Sequence, residues 1–446
     1  MANGPPTPPA SREEARSLLR SLREAGDGLA LRRSLDLAQV LGAAGSRLRD
    51  PADPLRIEAE EKVADEASVS RPMASEIIEG MAGGWEAQPL EQLLRTEFPD
   101  PAILDGFRPD GHGQEVRAFG GSLSFHIGSG NVPGVGATSM IRSLLVKCPV
   151  LLKPGQGDIA LSCLFLRALT ETDRMLGKAA AIRYWPAGQG GELEALAIAE
   201  ADRVVAYGGN DLIAKLRSRL PPTTPLVAYH HRLSGGAVAR ETLGSIDEAA
   251  AVAREAARAI ATFDQRGCVS PQVIWVEEGG PVRPVEWAEL LSEGLESLSA
   301  TLPPGKIGAG EAALLQQQVG TFEMQRAAGT GHRVFGRDLV QGRVFFDPGR
   351  FLANPLLATC RSVVVKPISD LSALSEVLRP ASRVLQSFGL VAPEERRQAL
   401  ATSLAMLGVT RVTTFGRQPW PRAWWRHDGT EPLRALVNWV ELESAD

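Results

Sequence analysis

Thr262-Phe263-Asp264-Gln265-Arg266-Gly267-Cys268-Val269-Ser270-Pro271-Gln272 is the stretch from which the rest of the chain can be read. An alanine-rich run with helical spacing, about Ile246 to Ala261, leads into it, and an apolar run of strand character, Val273-Ile274-Trp275-Val276, leaves it. Cys268 is therefore expected on a helix-to-strand turn, beside a glycine that lets a backbone or a substrate come close. A lone cysteine on such a turn is a candidate nucleophile. A free cysteine is more often a small buried hydrophobe, but the polar run Asp264-Gln265-Arg266 just before it tips the reading towards chemistry. Cys148, Cys163 and Cys360 lie in strand or helix runs and read as core.

Upstream, strands and helices alternate. Val116-Arg117-Ala118-Phe119 and Ser122 to Ile127 read as strands that run into a glycine turn, Gly128-Ser129-Gly130-Asn131-Val132-Pro133-Gly134-Val135-Gly136. A helix from about Ala137 to Val146 and a strand, Pro149 to Lys153, follow. The pattern repeats with helix 159–176, strand Ile182–Trp185, the turn Gly188 to Gly191, helix 192–200, strand Arg203–Tyr207, the turn Gly208-Gly209-Asn210-Asp211, and strand Pro225–Tyr229. Strand–helix alternation at this spacing means a parallel, doubly wound α/β sheet. Downstream, Arg333–Phe335 and Arg343–Phe346 read as a hairpin, Arg361–Val365 as a buried strand, Leu371 to Phe388 as a helix and Gly408–Thr413 as a strand. Residues 12–49 and 55–95 carry amphipathic helical spacing, with Gly26-Asp27-Gly28 expected to break the first of them. Trp420, Trp424, Trp425 and Trp439, half of the chain's eight tryptophans, crowd the end, which reads as a tail packed on the body. The organisation expected is an N-terminal helical region (1–110) packed on the cofactor lobe, a cofactor-binding lobe (111–244), a catalytic lobe (245–415) and a tryptophan-rich tail (416–446).

Composition narrows the class. The chain has 446 residues, a length prior of about three domains, with 44% hydrophobic and 23% charged residues, ordinary for a globular protein. A formal charge of −5 gives no nucleic-acid footprint. Four cysteines without a C-x-x-C pair argue against a zinc site and a disulfide framework, and fit a reducing cytoplasm. No apolar run approaches the length of about 18 residues that a membrane span needs. The proline-rich start, Met1 to Ala10, has no apolar core of a signal peptide and reads as a loose tail.

The glycine turn at 128–136 fails as a dinucleotide fingerprint, because Pro133 stands where the third glycine of G-x-G-x-x-G belongs. Asn131, in the same turn, is a side-chain amide that can donate to an oxyanion or simply serve the turn. Lys153-Pro154-Gly155-Gln156 ends a buried strand, where a lysine can reach a ribose or phosphate or merely cap the strand. Gly208-Gly209-Asn210 offers the N–H groups of a helix start to an anion, though the same residues suit an ordinary turn.

Together these pieces resemble the aldehyde dehydrogenase superfamily, and within it the acyl-CoA reductase branch that includes the fatty acyl-CoA reductase of bacterial luciferase systems. The resemblance is carried by Gly130-Asn131-Val132-Pro133-Gly134, Leu152-Lys153-Pro154-Gly155, Tyr207-Gly208-Gly209-Asn210, Phe263 to Gln272, Gly408-Val409-Thr410-Arg411 and Trp425-Arg426-His427-Asp428-Gly429. It covers roughly residues 110–440 and implies two doubly wound α/β lobes with the active site in the cleft between them. It implies Cys268 as nucleophile, Asn131 and the Cys268 N–H as the oxyanion hole, Lys153 at the cofactor ribose, and Gly188 to Gly191 with Gly208-Gly209 lining the cofactor cleft. Hydrolytic relatives carry a glutamate in Glu-Leu-Gly-Gly at about 229–236. This chain has Tyr229-His230-His231-Arg232-Leu233-Ser234-Gly235-Gly236, with no carboxylate.

The reaction expected is reduction of an acyl-CoA to the aldehyde through an acyl-cysteine. It needs no water-activating base. His231, near the missing glutamate, is the expected proton carrier, with Arg232 holding the imidazole neutral. A free thiol is only a few per cent ionised near neutrality, and the carboxyl end of the preceding helix would raise its pKa. Activation is therefore expected from Arg266, His231 or the bound nicotinamide. NADPH is the expected cofactor: Gln156, three after Lys153, stands where a carboxylate would bind the ribose 2′-OH and repel a 2′-phosphate, although Asp158 nearby works the other way. An acyl-activating or acyl-transferring protein partner and a homo-oligomer complete the expectation. A nicotinamide-free cysteine acyltransferase or thioesterase is the rival reading, which the glycine turns count against. A catalytically silent scaffold is the other, opposed by the intact Cys268, Asn131 and Lys153.

Overall fold

A computed structural model describes residues 6–338, 341–350 and 360–443. Met1 to Pro5, the start of the expected loose tail, lie outside the described residues. The chain forms two compact units. Of the described residues, the first holds those within Met1–Ala67, Ala74–His230 and Arg422–Asp446, the second those within Ser68–Met73 and His231–Pro421.

Five helices come first: α1 (Arg12–Ala30), α2 (Ser34–Arg49), α3 (Pro54–Ala67), α4 (Arg71–Gly83) and α5 (Ala87–Glu97). Ser11 caps α1, its hydroxyl accepting from the Glu14 N–H at 3.2 Å. The helix runs through Gly26-Asp27-Gly28 without the expected break. Gly26 is there for packing: a Cβ on it would stand 2.6 Å from the Pro149 ring. Ala15, Leu19 and Leu22 of α1 share one apolar cluster with Phe125, Leu151 and Val204. Then come β1 (Arg108–Pro109), β2 (Glu115–Gly120), β3 (Ser124–Ile127), α6 (Val135–Leu145), β4 (Val150–Lys153), α7 (Ile159–Thr172), α8 (Arg174–Gly177), β5 (Ala180–Ile182), α9 (Gly191–Glu200), β6 (Arg203–Tyr207), α10 (Asn210–Arg219) and β7 (Leu226–Tyr229). Strands β3 to β7 form a parallel sheet in the order β5-β4-β3-β6-β7. The chain starts at the middle strand and winds first to one side, then to the other. The carboxyl ends of β3 and β6 therefore flank a topological switch point, where open α/β sheets take their ligands.

The second unit contains β8 (Leu233–Val238), α11 (Ile246–Ala261), β9 (Pro271–Glu277), α12 (Pro284–Ser299), α13 (Ala309–Ala327), β10 (Arg333–Phe335), β11 (Val344–Phe346), β12 (Val363–Ile368), α14 (Leu374–Leu378), β13 (Leu385–Val391), α15 (Glu394–Met406) and β14 (Arg411–Thr413). Its sheet runs β10-β11-β12-β9-β8-β13-β14, parallel throughout except for the expected hairpin of β10 and β11. The expected cofactor lobe (111–244) spans β8, which carries no strand signal in the sequence and is an interior strand of this second sheet. The expected helix from Leu371 to Phe388 is also corrected. Helical turns stop by Ala381, and Leu385 to Val391 is the strand β13. The spacing of Leu371, Leu374, Val377 and Leu378 is helical, but β13 is buried between β8 and β14, and Phe388 stacks on Trp275 at 6.0 Å. Burial on both faces removes the period-two signature by which an isolated strand is read.

The final strand, β15 (Val437–Leu442), pairs antiparallel with β2 in a three-stranded sheet of order β1-β2-β15. The C-terminal segment is thus divided. Trp420 packs on Phe263 in the second unit, with ring centres 5.0 Å apart, while the residues from Arg422 belong to the first. Among the described residues no helix is long and apolar enough to cross a membrane.

Candidate active site

The turn before Cys268 is strained and heavily braced. α11 starts on a Ser245 cap and ends at Ala261. Phe263 (φ 60°), Asp264 (φ 49°) and Gln265 (φ 62°) then follow one another in the left-handed region. Non-glycine residues there cost on the order of 1 kcal/mol or more each and persist only where the surroundings fix them. Asp264 Oδ1 accepts from Arg361 Nε at 2.8 Å, and its Oδ2 accepts from the Gly305 N–H at 3.0 Å. Gln265 Oε1 accepts from the Ser362 N–H at 2.7 Å, while its Nε2 donates to the carbonyls of Pro271, at 3.0 Å, and Ser362. The facing residues, Cys360 (φ 54°) and Arg361 (φ 60°), are left-handed too. Asp264 and Gln265, two of the three polar residues that marked this turn in the sequence, are therefore buried in its frame.

Beyond the frame, Cys268 is partly exposed at the amino-terminal edge of β9. Its carbonyl accepts from Ser234 Oγ of β8 at 2.6 Å, and that hydroxyl accepts from the Ser387 N–H of β13 at 3.2 Å. Ser387 is the register partner of Arg411, the first residue of β14. The Arg411 guanidinium donates to the carbonyls of Gln418, at 2.8 Å, and Arg417, at 2.6 Å. Burial pushes its pKa down to about 10, while negative charge on Cys268 acts in the opposite sense. Cys148 and Cys163, by contrast, are pushed up to about 11 by burial, which leaves their thiols protonated.

Of the cations expected to act on the thiol, half-buried Arg266 donates to the Lys306 carbonyl at 3.3 Å. His231 is exposed on the segment between β7 and β8, and Arg232 donates to the Arg383 carbonyl at 3.1 Å. Arg411, which interacts electrostatically with Cys268, was missed. Sequence showed it only as the end of Gly408-Val409-Thr410-Arg411, because that interaction depends on the fold.

In the first unit, Asn131, Lys153, Gln156, Gly208 and Gly209 gather at the carboxyl edge of the sheet, and Gly188 (φ 78°) lies on the loop from β5 to α9. In the 128–136 turn, Gly130 lets two turns touch backbone to backbone. A Cβ on Gly130 would stand 1.7 Å from the Gln156 carbonyl oxygen, and one on Gly155 would stand 2.2 Å from the Gly130 nitrogen. Asn131 is exposed on the same turn. Asp158 is not a rival for the ribose. Its buried carboxyl accepts from the Gly134 and Gly136 N–H groups, each at 2.6 Å, and burial pushes its pKa up to about 8. Glu66 of α3 caps α7, accepting from Gly157, Ile159 and Ala160 at 3.0, 2.6 and 2.7 Å.

Lys153 ends β4 with its pKa lowered by burial, its Nζ 5.9 Å from the Tyr184 ring centre, and Gln156 is exposed. Gly209, at the start of α10, has no side chain capping the helix, and a Cβ there would meet open space. Beside it, Tyr207 and Tyr229, the last residues of β6 and β7, stack at 4.6 Å; His427 stacks on Tyr229 at 4.3 Å and Trp425 on His427 at 4.5 Å. This column brings the Trp425–Gly429 motif to the carboxyl edge of the first sheet. An open helix start at a switch point, with a lysine at the carboxyl end of β4 on the other side of β3, fits a nicotinamide dinucleotide.

Residues 34–439 match the family described as acyl-CoA reductase (LuxC). The chain belongs to that family. It is 25% identical over 357 residues to a long-chain acyl-protein thioester reductase from Aliivibrio fischeri, which covers 79% of this chain and 70% of the relative. It is 26% identical over 363 residues to one from Photobacterium phosphoreum, covering 79% and 69%. Among solved structures, an NAD-dependent benzaldehyde dehydrogenase from Corynebacterium glutamicum superposes with a TM-score of 0.72 at 15% identity, over 98% of this chain and 91% of that one. A bifunctional proline utilization A protein superposes with a TM-score of 0.75 at 15% identity, over 99% and 45%.

The fold is the two-lobed α/β fold of the aldehyde dehydrogenase superfamily, and at family level the chain is an oxidoreductase acting on acyl thioesters. In this acyl-CoA reductase, the segment that carries a glutamate in hydrolytic relatives opens β8. Its two glycines are required by packing: a Cβ on Gly235 would stand 2.9 Å from Phe388, and one on Gly236 would stand 2.4 Å from Phe415.

Proposed function

We propose that this chain reduces a long-chain acyl-CoA to the aldehyde with NADPH through an acyl thioester on Cys268. The supporting observation is the turn itself: three left-handed residues and a buried ion pair are devoted to presenting one partly exposed thiol. The Cys268 thiolate attacks the thioester carbonyl, the carbon–sulfur bond to CoA breaks, and CoA leaves with the electron pair as a thiolate. His231 takes the Cys268 proton and returns it to the departing CoA sulfur. The Asn131 amide and the Cys268 N–H donate to the oxyanion. Bound NADPH supplies the hydride. Collapse of the resulting thiohemiacetal releases the aldehyde and regenerates Cys268, so that one acyl-CoA, one NADPH and one proton give aldehyde, CoA and NADP⁺. Lys153 and Gln156 hold the adenosine ribose and tolerate its 2′-phosphate, and Gly208-Gly209, with Gly188, admits the dinucleotide backbone.

The names of the Aliivibrio and Photobacterium relatives support a long acyl chain and a protein-borne donor, so an acyl-transferring protein is the proposed partner. A homo-oligomer is proposed through β15, an edge strand that exposes Trp439, Val440 and Leu442. The experiment is incubation with labelled long-chain acyl-CoA without nucleotide. Cys268 should carry the acyl group, and NADPH should then release it as aldehyde. Labelling should vanish in Cys268→Ala and persist when Cys148, Cys163 or Cys360 is replaced. Labelling that survives Cys268→Ala rules the reading out.

A further inference from the structure

The proposed reaction needs a thiolate, and the one cation within the presenting turn, Arg266, donates to the Lys306 carbonyl. Arg411, in the same unit, is a cation whose charge interacts with Cys268. Three contacts tie the two residues to one place: Ser234 Oγ to the Cys268 carbonyl at 2.6 Å, the Ser387 N–H to Ser234 Oγ at 3.2 Å, and the register pairing of Ser387 with Arg411. The guanidinium is aimed by the carbonyls of Arg417 and Gln418. Such acceptors fix its direction without cancelling its charge. Gln418 is itself anchored: fully buried, it donates Nε2 to the Gly235 carbonyl at 3.1 Å. We propose that Arg411 is the fixed cation that stabilises the Cys268 thiolate, and so sets how much of the enzyme is competent to attack the acyl thioester. The inference deepens the acyl-CoA reductase reading and rests on it.

The other charged groups on the elements around the thiol have these contacts among the described residues. Asp264 is neutralised by Arg361, Arg266 reaches the Lys306 carbonyl, and Arg232 reaches the Arg383 carbonyl. His231 is exposed, and Lys306 lies on the loop that Arg266 contacts. Arg411 is part-buried and electrostatically linked to Cys268, and partial burial reduces the screening of that link by water and salt.

The test is the pH dependence of Cys268 alkylation by iodoacetamide in the full-length protein, followed on the Cys268 peptide by mass spectrometry. Wild type should titrate about one unit or more below the ordinary thiol value of about 8.5. Arg411→Gln keeps an amide donor for the two carbonyls and removes the charge; its midpoint should rise by about one unit or more. Arg411→Lys should restore most of the shift. A wild-type midpoint at the ordinary value, which needs no variant, overturns the proposal, and so does an unchanged midpoint in a folded Arg411→Gln protein. Because alkylation uses no acyl donor, the two readings fail separately. Acyl labelling that does not require Cys268 sinks the reductase mechanism, whereas Cys268-dependent labelling with an immobile midpoint sinks only the role of Arg411.

Discussion

Arg361 has no exposed surface, and four bonds of its guanidinium hold the turn. Nε and Nη2 reach Asp264 Oδ1 at 2.8 Å, Nη1 reaches the Leu302 carbonyl at 2.8 Å, and Nη2 also reaches the Pro303 carbonyl at 3.2 Å. Replacing it by methionine (Arg361→Met) leaves the Asp264 carboxylate buried beside the Gly305 N–H, without its countercharge. Removing one partner of a buried ion pair costs about 3–5 kcal/mol. The turn it holds stores on the order of 1 kcal/mol or more at each of Phe263, Asp264 and Gln265. The stored strain is thus comparable with the stabilisation lost, and the turn should relax before the seven-stranded sheet gives way. A nucleophile displaced by about 1 Å can lose about 10²-fold in rate. Single-turnover acylation of Cys268 should therefore fall by about that factor, while urea unfolding shows a loss of about 3 kcal/mol or less. Arg361→Lys keeps the charge but not the fork, and should recover only part of both. Wild-type acylation together with a wild-type urea midpoint in Arg361→Met would show that the brace does not position the cysteine.

Gly130→Ala places a Cβ against the Gln156 carbonyl oxygen, and should lower stability by about 1–3 kcal/mol and weaken NADPH binding. Thermal unfolding and fluorescence titration check both, and an unaffected protein refutes the turn-to-turn contact. Gln156→Glu should move the kcat/KM preference from NADPH towards NADH by about tenfold or more through charge repulsion at the 2′-phosphate; a wild type that already prefers NADH contradicts the assignment. His231→Ala should slow acylation by about 10²-fold or more with little change in NADPH affinity. If acylation is unaffected, His231 is a surface residue only.

The alternation of the first sheet was readable because strands such as Val150–Leu152 and Val204–Ala206 are apolar on both faces and end in glycine turns. Where packing overrides local preference, the reading failed. Gly26 sits inside α1 because Pro149 needs the room, which no helix-breaking rule can see. β8 went unread because Ser234-Gly235-Gly236 has no side-chain periodicity, the glycines being fixed by Phe388 and Phe415 on neighbouring elements. Gln386 and Ser387 hid β13, since their polarity is compatible with a central strand only once its neighbours are known. The Cys268 turn was located correctly, but Asp264 and Gln265 form its frame, and their partners Arg361 and Ser362 lie far along the chain. Arg411 is the extreme case. Nothing near it in sequence indicates a thiol, and its electrostatic link to Cys268 appears only once β14 is paired with β13.

A fixed cation at Cys268 suits reduction at both ends of the proposed cycle, and the argument can be made quantitative. Lowering the thiol pKa by one unit raises the thiolate population about tenfold while the pKa remains above the ambient pH, and it lowers intrinsic nucleophilicity by about threefold, from a Brønsted slope of about 0.4–0.5. Acylation therefore gains about threefold per unit until the pKa meets the ambient pH, beyond which further lowering only weakens the nucleophile. The return step has no such optimum. Cys268 leaves the thiohemiacetal as a thiolate, and a leaving thiol of lower pKa departs faster. Water attack on the acyl-enzyme gains nothing comparable, because segment 229–236 carries no carboxylate to activate the water. The cation and the missing glutamate thus favour the same outcome: an acyl group that loads readily onto Cys268, resists hydrolysis and leaves as aldehyde once hydride arrives.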